Sequence, residues 1–231
     1  MPLQLREDDT ITTDVKTTSL VSEISTFGSI KQPRDYKSLS KPVMTISGIN
    51  RPYYVAVHDS GDIFVTSNNN HCVCVFDKNG TKKATIGSQG SGDGQFNSPQ
   101  GITISGDVIF VAENGGNRIP KRKITGEPRI QKLTITGELL MKCGSPGSGN
   151  GQLDNPLGMC LASDGKLYVA DYNNKRVQVF NPDGTSSSII TGLGNNVLSR
   201  PAAVALDQSG NLHVADNSSK CIKVFTADGD L

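Results

Sequence analysis

Four short polar segments hold most of the side chains able to recognise a ligand. They read NNNH (68–71), NGGNR (114–118), YNNKR (172–176) and NSSK (217–220). Asn and Ser present donors and acceptors to polar edges, and Arg or Lys can meet a phosphate or carboxylate. The candidate binding residues are Asn70, His71, Asn117, Arg118, Tyr172, Asn174, Lys175, Arg176 and Lys220. The Tyr172 ring could stack on a base or fill a peptide pocket. Lys121, Arg122, Lys123 and Arg129 form a second basic group, weakened by Glu127 within it. Such a cluster suits nucleic acid or an acidic partner. The competing reading is local. Asp171, Asn174 and Asp216 can bond turn backbone, and the cations can simply be solvated.

These segments must be held by regular elements, and the elements are repeated. One unit reads RPYYVAVHDSGDIFVTSNNNHCVCVFDKNG from Arg51, another NPLGMCLASDGKLYVADYNNKRVQVFNPDG from Asn155, and another RPAAVALDQSGNLHVADNSSKCIKVFTADG from Arg200. The second unit begins SPQGITISGDVIFVAENGGNRI at Ser98 and then departs from the pattern. Leading prolines Pro52, Pro99, Pro156 and Pro201 are spaced by 47, 57 and 45 residues. The long interval has a visible cause. RIPKRKITGEP (118–128) is followed at once by RIQKLTITGEL (129–139), identical at seven of 11 positions. Removing one copy of this tandem duplication leaves 46 residues and restores the period.

Within each unit apolar residues alternate, as at Leu167 and Val169 or Val177 and Val179. Period two marks strands. DSGD, SDGK, DKNG and NPDG supply the Gly and Asp of tight turns. A weaker fourth strand follows in KKATIGS, ELLMKCGS and SSSIITG. Four strands per period of about 45 residues make one propeller blade. The expected fold is all-β, with blades over about 51–97, 98–154, 155–199 and an incomplete 200–231 inside a propeller spanning 42–231. Residues 1–41 are expected to be a linker or N-terminal extension, with outer-strand-like segments at 24–30 and 42–48.

The pattern P-x-G-[IM]-x-[LI], followed by G-x-[LI]-[YF]-V-A-D-x-x-N-x-R-[VI]-Q-V-F-x-x-x-G, resembles the NHL repeat. So does the connector GSQGSGDGQFNSP, which recurs as GSPGSGNGQLDNP. The absence of Trp argues against WD40 repeats, whose signature contains a Trp-Asp pair. A linker followed by these repeats is similar to the C-terminal part of TRIM-NHL (tripartite-motif NHL) proteins. The resemblance implies a six-bladed propeller, of which about four blades are present here, so the chain reads as a piece of a longer one. It also implies a substrate-recognition arm for a ubiquitin ligase, selecting a protein target or, alternatively, RNA. The zinc modules that carry ligase activity in that family have no counterpart in this sequence. Open blade edges leave self-association as a further expectation.

Strands alternate in direction within a blade, so the connectors emerge at the same end as the four polar segments. That end is the expected binding face, and the opposite end carries the acidic turns. Catalysis is not expected. Propeller hydrolases and lyases, the remaining alternative, need His or carboxylates converging on the axis. The innermost segments YVAVHD, GITIS, GMCLA and AVALD are nearly all apolar. His58, His71 and His213 follow their leading prolines by 6, 19 and 12 residues, so they do not occupy equivalent places. Cys72 and Cys74 are a weak metal hint without further ligands. The Gly-rich connectors open no helix, which rules against a phosphate-binding loop. No cofactor, metal or catalytic residue is expected.

The totals agree. Net charge is +1, so no global field drives binding to DNA, RNA or membrane. Five Cys without a CxxC suit buried thiols in a reducing compartment. The N-terminus lacks an apolar core segment, and no run of about 18 apolar residues occurs. The expected address is cytoplasmic, away from membranes.

Overall fold

The computed structural model describes residues 11–13, 44–115, 127–194 and 197–226. Among them there is no α-helix, and the strands fall into successive antiparallel sheets. A short pair, β1 (Ile11–Thr13) and β2 (Met44–Ile46), precedes the blades. Blade 1 holds β3 (Pro52–Val57), β4 (Ile63–Ser67), β5 (Cys72–Phe76) and β6 (Lys82–Ile86). Blade 2 holds β7 (Pro99–Ser105), β8 (Val108–Glu113), β9 (Arg129–Thr134) and β10 (Leu139–Cys143). In the next connector, β11 (Ser145–Pro146) pairs in parallel with β12 (Gln152–Leu153). Blade 3 holds β13 (Pro156–Leu161), β14 (Leu167–Asp171), β15 (Arg176–Phe180) and β16 (Ser186–Ile190). Blade 4 has three described strands, β17 (Pro201–Leu206), β18 (Leu212–Asp216) and β19 (Cys221–Phe225).

Blades 1 to 3 are packed on both faces, whereas β19 of blade 4 leaves Ile222 and Val224 exposed. The middle strands β4, β5, β14 and β15 are buried at every residue, while the outer β6 is exposed except at Ile86. Alternation sends one set of side chains towards the preceding blade and the other towards the next. Thus Phe64, Val73 and Val75 of blade 1 pack with Ile109, Val111 and Leu133 of blade 2. Phe110 and Ile130 pack with Leu167, Val169 and Phe180 of blade 3. Val177 and Val179 pack with Leu212, Val214 and Phe225 of blade 4. Full burial of such a side chain contributes about 1.5–3 kcal/mol.

The innermost strands meet backbone to backbone. A Cβ at Gly158 would lie 2.8 Å from the Ala203 Cα and 3.0 Å from the Ala202 carbonyl oxygen, and one at Gly101 would collide with the Leu157 carbonyl. In blade 1 the same place after the leading proline is Tyr54. Its hydroxyl donates to the Ala202 carbonyl at 2.8 Å, joining the inner strands of blades 1 and 4. Burial, helped by neighbouring Tyr53, pushes its phenol above the usual range.

The tandem duplication resolves in favour of its second copy. Strand β9 starts at Arg129, paired with Glu113 of β8. Gln131 and Leu133 of this strand are fully buried. The first copy would put Pro120 and Arg122 at those places, removing a ladder N–H and burying a charge. Asn117, Arg118, Lys121, Arg122 and Lys123 lie outside the described residues. Arg129, expected in a basic loop, instead belongs to the blade itself.

Candidate binding face

All four turns tie to the residues before the leading prolines. The N–H groups of Asn68, Asn114, Tyr172 and Asn217 donate to the carbonyls of Arg51, Ser98, Asn155 and Arg200. The polar segments and the connectors therefore share one end of the blades. What the segments do there differs from residue to residue.

In blade 3 the polar residues form a clamp on the connector. Asp171 is fully buried and accepts from the Asp154 N–H at 2.8 Å, Asn174 at 2.7 Å and Arg176 Nε at 2.8 Å. The two terminal nitrogens of Arg176 donate to the carbonyls of Ser148 and Gly149, each at 2.8 Å, and of Gln152 at 2.6 Å. Gln178 accepts from the Gly151 N–H at 3.1 Å. Asn174 also donates to the Gly147 carbonyl at 2.8 Å. Burial pushes the Asp171 carboxyl up, while the Asp154 N–H, Asn174 and Arg176 pull it down. Arg176 and Asn174 are thus committed to the fold. Arg176 is only 4% exposed and offers no free donor face to a partner.

Blade 2 repeats the device with Glu113, Arg129 and Gln131. Arg129 Nε donates to Glu113 at 2.7 Å, and its terminal nitrogens donate to the carbonyls of Ser91, Gly92 and Gln95. Gln131 accepts from the Gly94 N–H at 3.0 Å. In blade 4 the acid remains and the base changes. Asp216 accepts from the N–H groups of Ser199 and Arg200, both at 2.8 Å, from Ser219 at 2.8 Å and from Lys223 at 3.0 Å. Burial opposes its ionisation, but those N–H groups, Ser219 and Lys223 prevail and hold its carboxyl at about 2. In blade 1 the corresponding residues are Ser67, Cys72 and Cys74. The two sulfurs are 4.0 Å apart, and Ser67 donates to the Asn50 carbonyl at 2.9 Å.

The remaining candidates separate into structural and free. His71 Nδ1 accepts from the Ser98 N–H at 2.9 Å, and burial holds its pKa below the ordinary value. Its φ of 54° matches 58° at Lys175 and 53° at Lys220, so all three shape the turn before the third strand. Lys175 and Lys220 nevertheless expose their side chains, as does Asn70. Tyr172 is half-buried under the Arg200 guanidinium, 5.5 Å from its ring centroid.

Arg200 was not singled out by spacing, and neither were Arg51 and Tyr53. Arg51 lies 5.4 Å from the Tyr53 centroid and donates to its hydroxyl at 3.3 Å. The overlooked signal is the residue before each leading proline, which is Arg in two of four units. Arg51 and Arg200 lie just before Tyr54 and Ala202, whose hydrogen bond joins blades 1 and 4. Leu193 and Val197 of the third connector are 79% and 50% exposed. Gln100 Oε1 and Asn155 Oδ1 are buried on this side without a partner among the described residues. No group of three or more His, Cys, Asp or Glu able to hold a metal occurs among the described residues.

The fold is a β-propeller, and two of its blades carry NHL repeats. The NHL repeat model matches residues 153–180 and 198–225, and a 6-bladed beta-propeller model matches 47–129. Its relatives are TRIM-NHL proteins. The chain is 29% identical over 136 residues to Protein brain tumor of Drosophila melanogaster, covering 58% of this chain and 12% of that protein. It is 33% identical over 85 residues to Protein wech of the same organism, covering 37% and 10%. Tripartite motif-containing protein 2 of Homo sapiens matches at 35% over 54 residues, covering 23% and 7%. The chain thus spans about a tenth of the length of these relatives. Among solved structures, a nidogen/laminin complex aligns with a TM-score of 0.62 at 19% identity, covering 80% of this chain and 64% of that one. A gluconolactonase from Xanthomonas campestris aligns with a TM-score of 0.60 at 19% identity, covering 78% and 60%. At that identity they share the fold alone.

Proposed function

We propose that this propeller is a non-catalytic recognition module that docks a protein segment on its connector face. The observation that carries the reading is the third connector. Leu193 and Val197 stand exposed in the connector that ends at Arg200, which stacks on Tyr172, whereas Phe96 and Leu153 of the two preceding connectors are fully buried. Arg and Tyr are the residue types that dominate protein-binding hot spots, and exposed apolar side chains in the same connector add area to bury. On the TRIM-NHL resemblance, the recognised segment belongs to a substrate delivered to a ubiquitin ligase. A second reading, RNA, draws on the cations Arg51, Lys175, Arg200 and Lys220 and the two tyrosine rings on one face.

A photocrosslinking side chain at position 197 tests both. Crosslinking to protein, lost in the Leu193→Ser/Arg200→Ala variant, is the expected result. Crosslinking to RNA with a steep salt dependence favours the second reading. Protein crosslinks that persist unchanged in the double variant overturn the docking site.

A further inference from the structure

The blades serve as one another's controls, and blade 2 departs from the others at two places on one wall. Strand registers align Lys132 with Val75 and Val179, since these three pair with Phe110, Phe64 and Tyr168 respectively. They align Cys143 with Ile86 and Ile190, since these pair with Ile130, Val73 and Val177. Val75, Val179, Ile86 and Ile190 are all buried and fill their inter-blade cores. Blade 2 exchanges a Val for a Lys and an Ile for a Cys on the face it turns to blade 3.

An open cleft of about 200 Å³ lies where those apolar groups are missing. Its walls include Phe110, Met141, Leu161, Leu167, Phe180 and Pro182, with Lys132 among them. The Lys132 ammonium lies 5.5 Å from the Phe110 centroid. Among the described residues no carboxylate lies within ion-pair distance of it, whereas Lys166 at the same end is paired with Asp164 at 3.3 Å. Gly165, Asn181 and Pro182 of the acidic-turn end also line the cleft, so it opens away from the connector face. Unfilled apolar space costs stability in proportion to its volume. A cation beside that space gains from an anion brought to it.

We propose that this cleft binds a small carboxylic acid with an apolar tail. The tail lies between Phe110, Met141, Leu167 and Phe180, and the carboxylate meets Lys132. The volume admits one ring or a short alkyl chain. This site is separate from the connector-face docking surface and stands or falls independently of it.

The test uses 4-phenylbutyrate as probe, with 4-phenylbutanol as its uncharged counterpart, on the full chain. Calorimetric titration is paired with amide shifts around Lys132, Met141 and Leu161. The acid is expected to bind at least about tenfold more tightly than the alcohol, the ratio for about 1.4 kcal/mol. Lys132→Met should reduce that ratio to near one. Lys132→Val combined with Cys143→Ile restores the residues of the other blades. It should abolish binding of both probes while raising the melting temperature, which also shows that the variant folds. Equal affinity for acid and alcohol in the parent chain, or acid binding that survives the double substitution, overturns the proposal. So does the absence of binding to the parent chain.

Discussion

Blades 1 and 3 place different chemistry on one framework. Blade 3 buries Asp171, Arg176 and Gln178 against residues 147–152, while blade 1 has Ser67, Cys72 and Cys74 at the matching strand positions. The difference follows the connector that each must hold. Twelve residues, 144–155, lead from β10 to blade 3, but only five, 47–51, lead from β2 to blade 1. A long Gly-rich connector brings carbonyls and N–H groups into the inter-blade space, and a guanidinium and an amide satisfy them. A short one brings few, the Asn50 carbonyl being taken by Ser67, and the same space is closed by thiols packed with Ile46, Ile63, Val65 and Phe76. Blade 4, with ten connector residues at 191–200, is intermediate. Lys223 reaches the Val197 carbonyl and Asp216 from the place of Gln178. The buried ion pair of a blade in this chain thus answers to its connector.

The strongest way to break this comparison is Arg176→Ala. It removes the charge partner of the buried Asp171 carboxylate and the donor to three connector carbonyls, and should cost about 3–5 kcal/mol in urea unfolding. A loss below about 1 kcal/mol would show that the connector holds itself. Lys223→Ala is milder, because Asp216 keeps two backbone N–H groups and Ser219. Roughly 1.5–3 kcal/mol is expected, the contribution of one hydrogen bond to a charged group. The smallest effect is a titration. The Asp216 carboxyl at about 2 lies below the unfolded value of about 3.9. Its contribution is therefore complete above about pH 4 and lost as pH falls towards 2. The Lys223→Ala variant should show a shallower decline in melting temperature over that window. An equal slope would remove Lys223 from the account.

The sequence made the repeats, the four-strand blade and the shared end of turns and connectors legible, because period and alternation are local signals. The fate of Arg176 was not local. Whether a guanidinium is solvated or buried depends on the carbonyls of Ser148, Gly149 and Gln152, brought to it by a connector about 25 residues earlier. Spacing also misdirects in blade 2. Arg118 follows Glu113 by five residues, as Arg176 follows Asp171, yet Arg129 makes the pair. The deciding fact is two residues further on, where the strand tolerates Gln131 and not Pro120. Arg51 and Arg200 are not legible from the polar turns because they lie outside them, directly before Pro52 and Pro201.

The route between β8 and β9 has a practical meaning. Glu113 and Arg129 close their ion pair although eleven extra residues separate them, compared with Asp171 and Arg176. Lengthening a flexible loop adds only about 0.6 kcal/mol per doubling. This hairpin is thus a ready graft position. An epitope or reporter peptide inserted after Gly115 should leave blade 2 in register, provided that the sequence resuming at Arg129 is kept.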